Sequence, residues 1–369
     1  MVPTEGELDG GGPNPPRRAT VVGLGLIGSS VALGLREAGW FVTGADTSAA
    51  REARALELGV VDAVGSDPVA SLGVVATPVG EIAHAAAALF AASTNPELVV
   101  TDVGSVKASV VGAVESPRFV GGHPMAGSEQ EGPDGADRDL FAGANWVLTP
   151  TASTDPEAFS TVRSIVTTLG AEPLALPPER HDALVALVSH VPHLVAVTLM
   201  AVAAQRSEEH AVLLRLAAGG FRDMTRIAAG EAAMWPDVFA SNTPAILEAF
   251  DAVRAQLDEA REIVAKGDRA SILALLEFAK DARRNLPQRI ARPETVVECR
   301  IPLRDRPGEL AKVTTILGEA GVNIGDLEMA HSVEGDLGVL IISIDHSEAP
   351  VARKTLQAHG YRPSLPARP

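Results

Sequence analysis

Residues 19–28, ATVVGLGLIG, decide the fold of the first part of this 369-residue chain. They join a β-branched run, typical of a buried strand, to a glycine pattern that opens an alanine-rich helical stretch. A GxGxxG pattern alone is a weak signal, but this one lies between a strand and a helix at the start of a β-α-β unit. There the glycines allow a tight turn and bring a pyrophosphate to the free N–H groups of the helix N-terminus. The segment therefore predicts a dinucleotide-binding domain.

Asp46 indicates which dinucleotide is bound. It ends the second predicted strand, 18 residues after Gly28, where an acid hydrogen-bonds the 2′-hydroxyl of a ribose. A carboxylate there repels the 2′-phosphate of NADP, so NAD is the expected cofactor, although nearby Arg51 leaves some tolerance for NADP. The alternative interpretation is a glycine turn followed by a surface aspartate. The expected cofactor contacts are Gly23, Gly25, Leu26, Ile27, Gly28, Asp46 and Thr77.

Around this turn, from residue 17 to residue 178, β-branched runs alternate with alanine-rich stretches. Near-continuous apolar strands separated by helices indicate a parallel sheet covered on both faces, a Rossmann-type α/β domain. The predicted strands are Ala19–Gly23, Trp40–Ala45, Gly73–Thr77, Leu98–Asp102, Phe119–Gly122 and Ala144–Leu148. The predicted helices are Ser29–Ala38, Thr47–Leu58, Val79–Ala92, Val106–Val114 and Pro156–Leu169.

From residue 179 to residue 286 the strand signals stop, and apolar residues recur with helical spacing. The predicted helices are His181–Ala204, Glu208–Ala218, Phe221–Ala228, Trp235–Ala240, Thr243–Val264 and Arg269–Asn285. This all-helical domain is too apolar to stand fully solvated. Burial against a second copy is the simplest solution, so we expect a homodimer formed through these helices.

The C-terminal part shows a different pattern. Residues 287–294 contain Pro287 and Pro293 and are interpreted as a linker, and residues 295–369 follow a β-α-β-β-α-β order, the ferredoxin-like arrangement. The predicted strands are Val296–Leu303, Val322–His331, Gly338–Asp345 and Arg362–Leu365, and the helices are Gly308–Ala320 and Ala349–His359. Residues 1–16 are expected to form a disordered tail.

Composition excludes several classes of protein. Lys and Arg number 31 against 47 Asp and Glu, and the resulting net charge of −16 argues against a nucleic-acid partner. The single cysteine, Cys299, excludes an intrachain disulfide and a cysteine-rich zinc site. The longest apolar stretch, Val191–Ala204, is too short to span a bilayer, and residues 1–16 lack the apolar core of a signal peptide. We therefore expect a soluble, cytoplasmic protein without a membrane partner.

Three motifs follow predicted strands or lie on the first long helix. In the segment DVGSVK (102–107), Ser105 is placed to donate a hydrogen bond into a cleft, and in GGHPMAGSE (121–129) His123 projects from a strand end. The segment SHVPH (189–193) places Ser189 and His193 one helical turn apart. Helix capping by Ser105 and a purely structural His123 are the alternatives. A metal pair of histidines in the third motif would lack a further ligand, so no metal is expected.

The helical region carries one more cluster, GGFRDMTRIA (219–228), followed by Met234 and Trp235. Arg226 could bind a substrate carboxylate through two parallel hydrogen bonds. Asp223, one turn earlier, could hold or gate the guanidinium. The alternative is an ion pair within an exposed helix.

In these motifs the chain resembles the prephenate/arogenate dehydrogenase family, oxidoreductases of tyrosine biosynthesis. The resemblance covers about residues 18–290 and rests on GLGLIGSS, DVGSVK, GGHPMAGSE, SHVPH and GGFRDMTRIA…MW, in that order. It implies an NAD-dependent oxidative decarboxylation of prephenate to 4-hydroxyphenylpyruvate, or of arogenate to tyrosine. DRPGEL (305–310) and GVNI (321–324) resemble an ACT domain, which implies feedback by an amino acid such as tyrosine, with Gly308 and Asn323 as regulatory contacts.

The family's mechanism implies a role for each matching residue. His123 would take the proton of the ring hydroxyl, and Ser105 would orient that hydroxyl or His123. Arg226 would bind a substrate carboxylate. The resemblance also implies substrate-binding positions at Ser189, His193, Trp235 and Lys107 and gating acids at Glu129 and Asp223.

Two other functions compete with this one. A dehydrogenase of the β-hydroxyacid type would use a lysine on the first long helix of the second domain, and Glu179–Glu209 contains none. A non-catalytic amino-acid sensor built on an inactive dehydrogenase is the other alternative. Prephenate is preferred over arogenate as substrate, with Glu129 as a candidate counter-ion for the ammonium of arogenate.

Overall fold

The computed structural model describes residues 16–128, 130–209, 213–230, 232–284, 296–304, 306–331 and 337–364. The chain divides into two compact units. One is made of Met1–Met200 with Ile227–Gln256, and the other of Ala201–Arg226 with Leu257–Pro369. The predicted helical region is therefore shared between the two units, and the predicted domain limits remain a prediction.

The first unit is built on an eight-stranded sheet with the order β3-β2-β1-β4-β5-β6-β7-β8. The strands are β1 (Arg18–Val22), β2 (Phe41–Ala45), β3 (Ala63–Val64), β4 (Leu72–Val75), β5 (Val99–Asp102), β6 (Phe119–Pro124), β7 (Asn145–Thr149) and β8 (Glu172–Ala175). Strands β1 to β6 run parallel, which confirms the predicted parallel sheet, whereas β7 is antiparallel to β6. The sequence did not predict β3, which is only two residues long, or β8, whose proline suits a sheet edge.

Helices cover this sheet and fix where a ligand can bind. They are α1 (Leu26–Glu37), α2 (Ala49–Glu57), α3 (Ile82–Ala92), α4 (Ala108–Ala113) and α5 (Pro156–Thr168). The apolar sides of α1 and α5 pack with the strands into one buried core. The strand β1 pairs with β2 on one side and β4 on the other, so the chain order reverses at β1. In open α/β sheets, ligands bind at such a reversal, outside the carboxyl ends of the strands.

The helical region departs from the prediction at its start. The predicted helix His181–Ala204 is divided into α6 (Pro178–Val185), a π-helical turn (Ala186–His190) and α7 (Val191–Glu209). A π-helical turn widens the helix by one residue, a feature frequent at functional sites that apolar spacing does not reveal. The other helices are α8 (Gly219–Thr225), α9 (Trp235–Ser241), α10 (Thr243–Lys266) and α11 (Arg269–Arg284). The predicted helix Glu208–Ala218 is replaced, where the chain is described, by the end of α7 and a 3-10 turn at Leu213–Leu216.

The helical segment Pro178–Arg206 is longer than the stretch singled out in the sequence. Its most apolar window has a mean hydropathy of 1.9, so by length and composition it could cross a membrane, and 33% of that window is buried inside the chain. The segment also contains His181, Asp182 and His190, which are buried and hydrogen-bonded to other elements. These polar contacts are those of a helix packed within a protein core.

The second unit contains a three-stranded antiparallel sheet in the order β10-β11-β9. Its elements are β9 (Val296–Arg304), α12 (Glu309–Glu319), β10 (Ile324–His331), β11 (Leu337–Asp345) and α13 (Ala349–Ala358). Element order and strand order confirm the predicted ferredoxin-like arrangement. The predicted fourth strand, Arg362–Leu365, is reduced where described to a single bridge between Ser364 and Arg300, because Pro363 has no N–H to extend the ladder.

Candidate active site

The glycines of the turn after β1 serve different purposes. Gly23 has a φ of +97°, a left-handed conformation that favours glycine, and a Cβ there would collide with the carbonyl of Ala76. A Cβ on Gly28 would collide with the carbonyl oxygen of Gly23. A Cβ on Gly25, in contrast, would meet no atom within 4 Å, so this backbone borders open space.

The surroundings of this space suit an anionic dinucleotide. Helix α1 begins directly after Gly25, and no described side chain caps it, so the first N–H groups, including those of Leu26 and Ile27, are available to a phosphate. Thr77 follows β4 at the same sheet edge, and its Oγ1 is buried without a hydrogen-bond partner in the described part of the chain. A buried hydroxyl normally has a partner, so this atom fits a ligand contact.

Asp46, at the end of β2, is held rigidly beside the glycine turn. Its Oδ2 accepts a hydrogen bond from the N–H of Leu24 at 2.8 Å, and its Oδ1 accepts one from the N–H of Ser48 at 2.8 Å. Only 6% of the side chain is exposed, and Nη1 of Arg51 lies 3.9 Å from Oδ1. The carboxylate therefore places a fixed negative charge where the ribose contact was predicted.

His123 lies near the carboxyl end of β6, at the sheet edge shared by the ends of β4 and β5. Its side chain is partly buried. Burial lowers the pKa of the imidazole well below its usual range, and the neighbouring charge of Lys107 lowers it further. The ring is therefore neutral at physiological pH, the state a general base requires.

A chain of hydrogen bonds leads from His123 to a buried carboxylate on α6. Nδ1 of His123 lies 2.9 Å from Nε2 of His181, and Nδ1 of His181 lies 2.7 Å from Oδ1 of Asp182. The same carboxylate accepts hydrogen bonds from the N–H groups of Lys107 and Ala108, both at 2.8 Å, at the start of α4. Asp182 therefore joins α6 to α4 and supports His123 through His181.

Lys107 forms a buried ion pair. Its ammonium donates to Oδ2 of Asp102 and, at 2.9 Å, to the carbonyl oxygen of Gly122. Asp102 also accepts from the N–H groups of Gly104 at 2.9 Å and Gly122 at 3.0 Å, so the pair ties the ends of β5 and β6 to the turn that contains Ser105. Burial lowers the pKa of Lys107, and Asp102 opposes this shift.

The ion pair bears on one prediction. Lys107 was predicted as a substrate-binding position, and its side chain has no exposed surface in this structure. A buried ammonium needs a partner of opposite charge, and both contacts of this one are made within the protein. Its position supports the turn of Ser105, which is itself half-buried.

His193 and Trp235, both predicted to line the substrate pocket, are in direct contact. Their rings stack with centroids 3.6 Å apart and planes 10° apart. His193 is 7% exposed, and its burial lowers the pKa of the imidazole. Ser189, on the π-helical turn that precedes α7, is half-buried.

His190 is a buried, hydrogen-bonded residue of the first unit. Its Nδ1 lies 3.2 Å from Nδ2 of Asn242, which also donates to the carbonyl oxygen of Asp182 at 3.0 Å. Burial lowers the pKa of His190 to about 4. An amide nitrogen only donates, so Nδ1 of His190 is the acceptor.

The remaining predicted residues belong to the second unit or lie outside the described residues. Arg226 and Asp223 are exposed residues of the second unit, at and just before the carboxyl end of α8. Gly308 and Asn323 belong to that unit as well. Gly308 precedes α12 with a φ of +88°, and the N–H of Asn323 donates to Oε2 of Glu348 at 3.1 Å. Glu129 lies outside the described residues.

The sequence did not single out His181 and Asp182. An adjacent histidine and aspartate in the first turn of a predicted helix was the available signal. Their partners, His123 and the N-terminus of α4, are 58 to 75 residues away in the chain, so only the fold brings the four together.

The parallel sheet, the glycine turn and the neutral His123 at the adjoining strand ends define a dinucleotide-dependent dehydrogenase. Residues 31–174 match the family model "Prephenate dehydrogenase, nucleotide-binding domain", and residues 177–278 match "Prephenate dehydrogenase, dimerization domain". Residues 297–360 match the ACT domain. The chain belongs to the prephenate dehydrogenase family, which confirms the predicted family, fold class and nucleotide cofactor.

Individual relatives agree with this assignment. A prephenate dehydrogenase of Bacillus subtilis is 33% identical over 342 residues, which are 89% of this chain and 92% of the relative. The crystal structure of prephenate dehydrogenase from Aquifex aeolicus in complex with hydroxyphenyl propionate and NAD+ has a TM-score of 0.70 at 28% identity, covering 75% of this chain and all of that one. The structure of Synechocystis arogenate dehydrogenase has a TM-score of 0.65 at 32% identity, covering 72% and 98%.

Proposed function

We propose that this chain catalyses the oxidative decarboxylation of prephenate to 4-hydroxyphenylpyruvate with NAD as the hydride acceptor. The observation that supports this most directly is the neutral His123 at the sheet edge that also carries the glycine turn and Thr77. Membership of the prephenate dehydrogenase family and the NAD+ bound in the Aquifex aeolicus relative support the choice of reaction and cofactor.

The protein's part in the chemistry is to hold the ring hydroxyl and to move its proton. When bound, the nicotinamide supplies an acceptor for the hydride on the hydroxyl-bearing carbon. His123 takes the hydroxyl proton as the C–O bond becomes a carbonyl. The bond to the ring carboxylate then breaks, carbon dioxide leaves, its electron pair makes the ring aromatic, and the proton returns from His123 to the phenolate oxygen. Atoms and charges balance without a further reactant.

The cofactor roles follow the geometry of the first unit. Gly23 and Gly28 shape the turn, Gly25 leaves room for the pyrophosphate, and the N–H groups of Leu26 and Ile27 bind it. The ribose hydroxyls contact Asp46, and Thr77 lies at the same sheet edge. The fixed charge of Asp46 favours NAD over NADP, because a 2′-phosphate would meet a carboxylate of like charge.

The substrate roles are assigned from the motifs that match the family. Ser105 orients the ring hydroxyl, and Arg226 binds a carboxylate as a two-pronged hydrogen-bond donor. Stacked His193 and Trp235 form an aromatic wall beside Ser189. Asp223 and Glu129 are assigned to the pocket entrance. Lys107 acts indirectly, through the turn that it ties to β5 and β6.

Prephenate is chosen because the Bacillus subtilis relative, named prephenate dehydrogenase, matches this chain over 89% of its length. Arogenate is the second candidate, supported by the 32% identity to the Synechocystis arogenate dehydrogenase. The two substrates differ by a keto group or an ammonium on the side chain, so a single acidic residue near that group could decide between them.

The assembly and regulation belong to the same proposal. The match to a dimerization domain over residues 177–278 supports a homodimer through the helical region. The ACT match supports feedback by tyrosine at the loops of Gly308 and Asn323. A cytoplasmic location goes with this proposal, since the apolar segment Pro178–Arg206 lies within the matched dimerization domain.

The deciding experiment is to follow formation of the reduced cofactor with prephenate and with arogenate, each with NAD and with NADP. We expect the fastest turnover with prephenate and NAD. Faster turnover with arogenate would make arogenate the substrate instead of prephenate. Faster turnover with NADP would make NADP the cofactor instead of NAD. No turnover in any combination, by a folded protein that binds NAD, would overturn the enzyme assignment in favour of an amino-acid sensor.

A further inference from the structure

We propose that His181 and Asp182 are positioning residues that hold His123 in one tautomer, with its proton on Nδ1 and with Nε2 free to act as the base. This inference rests on the proposed function in naming His123 as the base. The assignment of the proton itself rests only on the hydrogen bonds of the folded chain.

The carboxylate of Asp182 accepts two backbone hydrogen bonds. Backbone N–H groups cannot accept, so the oxygens of Asp182 are the acceptors toward Lys107 and Ala108, both at 2.8 Å. These donors stand at the N-terminus of α4, where the helix dipole also favours a negative charge. The backbone at the start of α4 therefore satisfies both oxygens of Asp182.

The next link is His181, which is buried with 2% of its surface exposed. Its Nδ1 lies 2.7 Å from Oδ1 of Asp182, an atom that only accepts, so the proton of the neutral ring is on Nδ1. Nε2 of His181 then has a lone pair and faces Nδ1 of His123 at 2.9 Å. The only consistent assignment for a neutral His181 makes His123 the donor through Nδ1. Nε2 of His123 is left without a proton.

The opposite assignment needs His181 to be a cation. Nε2 of His181 would then donate, and the proton of a neutral His123 would move to Nε2, where it blocks base catalysis. One feature disfavours that state. The buried ammonium of Lys107 already lies in the field of Asp182. A second buried cation beside the first gains little from a carboxylate that the backbone already satisfies.

The hydrogen-bond chain from His123 through His181 to Asp182, called the relay below, also contributes during the reaction. Once Nε2 of His123 takes the hydroxyl proton, the ring is a cation whose Nδ1–H is held by Nε2 of His181. Asp182 stabilises that arrangement from the far side of His181. Without the relay, the ring could rotate or carry its proton on the wrong nitrogen, and turnover would slow while the binding surfaces stayed intact.

The direct test is a measurement of the tautomer in the full-length protein. The chain is labelled with nitrogen-15 histidine, and two-bond proton–nitrogen correlation spectra distinguish protonated from unprotonated ring nitrogens. The signals of His123 are assigned from their loss in His123→Gln. We expect a proton on Nδ1 and none on Nε2 at neutral pH. A proton on Nε2 of His123, or on both nitrogens of His181, would overturn the proposal.

The kinetic test compares two replacements of His181. Leucine cannot accept a hydrogen bond, so His181→Leu should lower kcat by roughly 10²–10⁴-fold, the usual contribution of a positioned base, with little change in KM. Glutamine can accept from Nδ1 of His123 and donate to Asp182, so kcat of His181→Gln should exceed that of His181→Leu by roughly 2- to 10-fold, the effect of one hydrogen bond. The matched control is His84→Gln on the exposed side of α3, which should leave kcat unchanged.

Wild-type kcat in His181→Leu, or a glutamine variant no better than leucine, would overturn the proposal. Circular dichroism and NAD binding show whether each variant is folded. If leucine disrupts the fold, the tautomer of the wild-type protein decides the question alone. That spectrum needs no turnover, so failure of the proposed reaction and failure of the relay are distinguishable results.

Discussion

The imidazole of His193 lies flat against the indole of Trp235, with ring centroids 3.6 Å apart and an angle of 10° between the planes. The two residues come from different helices, α7 and α9, and are 42 positions apart in the chain. The contact therefore joins two helices of the first unit through a pair of residues that the sequence had assigned to one pocket.

This stack makes the charge of His193 measurable by fluorescence. A protonated imidazole in contact with an indole quenches its emission, and burial lowers the pKa of His193 from its usual value of about 6.5. The ring is charged only below that lowered pKa, so emission should fall as the pH decreases, with a midpoint below 6.5. The measurement is the difference between wild type and His193→Gln. A midpoint above 6.5, or the same titration in the variant, would contradict a lowered pKa of His193 in contact with Trp235.

His123 should be the residue on which turnover depends most. His123→Asn removes the base but keeps a polar side chain, so we expect NAD binding to persist while kcat falls by roughly 10²–10⁴-fold. Because the pKa of His123 is lowered by burial, the base is still unprotonated below pH 6.5, and the acidic limb of kcat/KM should lie well below that value. Near-normal turnover in the variant, measured by reduced-cofactor absorbance, would remove His123 from the reaction.

Asp46 should set the choice between NAD and NADP. Removing its charge in Asp46→Ala abolishes a repulsion of about 1–4 kcal/mol with a 2′-phosphate, so the preference should shift toward NADP by roughly tenfold or more. Arg51, whose Nη1 lies 3.9 Å from Oδ1 of Asp46, would then be free to bind that phosphate. The measurement is kcat/KM with each cofactor, with Asp251→Ala on exposed α10 as the matched control.

The double variant Asp46→Ala with Arg51→Ala separates the two effects. The double variant should lose the gain in kcat/KM with NADP. It should keep the lower kcat/KM with NAD that follows from the loss of Asp46. An unchanged ratio of NAD to NADP in Asp46→Ala would mean that the specificity is decided elsewhere in the domain.

The sequence predicted most of the first unit because local and global signals agree there. Val21, Val74 and Val100 lie in apolar runs that are also buried central strands, and the glycine pattern falls at the turn that needs it. The apolar sequence pattern is weaker in strands at the edges of the sheet. The strand β8 (Glu172–Ala175) is exposed along its length, so no buried apolar run marks it.

The site was only partly predictable for a different reason. His123 was recognisable because it stands between glycines and a proline at a strand end. Asp182 acts through contacts with Lys107 and Ala108, 75 and 74 residues earlier, and such long-range pairings leave no local pattern. Lys107 was predicted as a substrate-binding position because it belongs to the DVGSVK motif, and a motif does not reveal that the side chain is buried against Asp102.

Arg226 should govern substrate affinity. A charge-assisted pair with a carboxylate is worth about 1.5–3 kcal/mol, so Arg226→Ala should raise KM by roughly 10- to 150-fold while NAD binding is unchanged. Arg254→Ala on exposed α10, where the guanidinium pairs with Asp251 three residues away, is the matched control. An unchanged KM for prephenate would remove Arg226 from the substrate site.

Tyrosine should inhibit the full-length enzyme through the loops that precede α12 and β10. Gly308 holds the first loop in a left-handed turn, and the N–H of Asn323 in the second is fixed at 3.1 Å from Oε2 of Glu348. Asn323→Ala removes a polar side chain from the exposed surface beside this anchor, so tyrosine inhibition should weaken by tenfold or more if that amide binds the ligand, an effect of about 1.4 kcal/mol. Lys354→Ala on the exposed side of α13 should leave inhibition unchanged. Equal inhibition of wild type and Asn323→Ala would place the tyrosine contact elsewhere, and inhibition that survives removal of residues 295–369 would place it outside the ACT domain altogether.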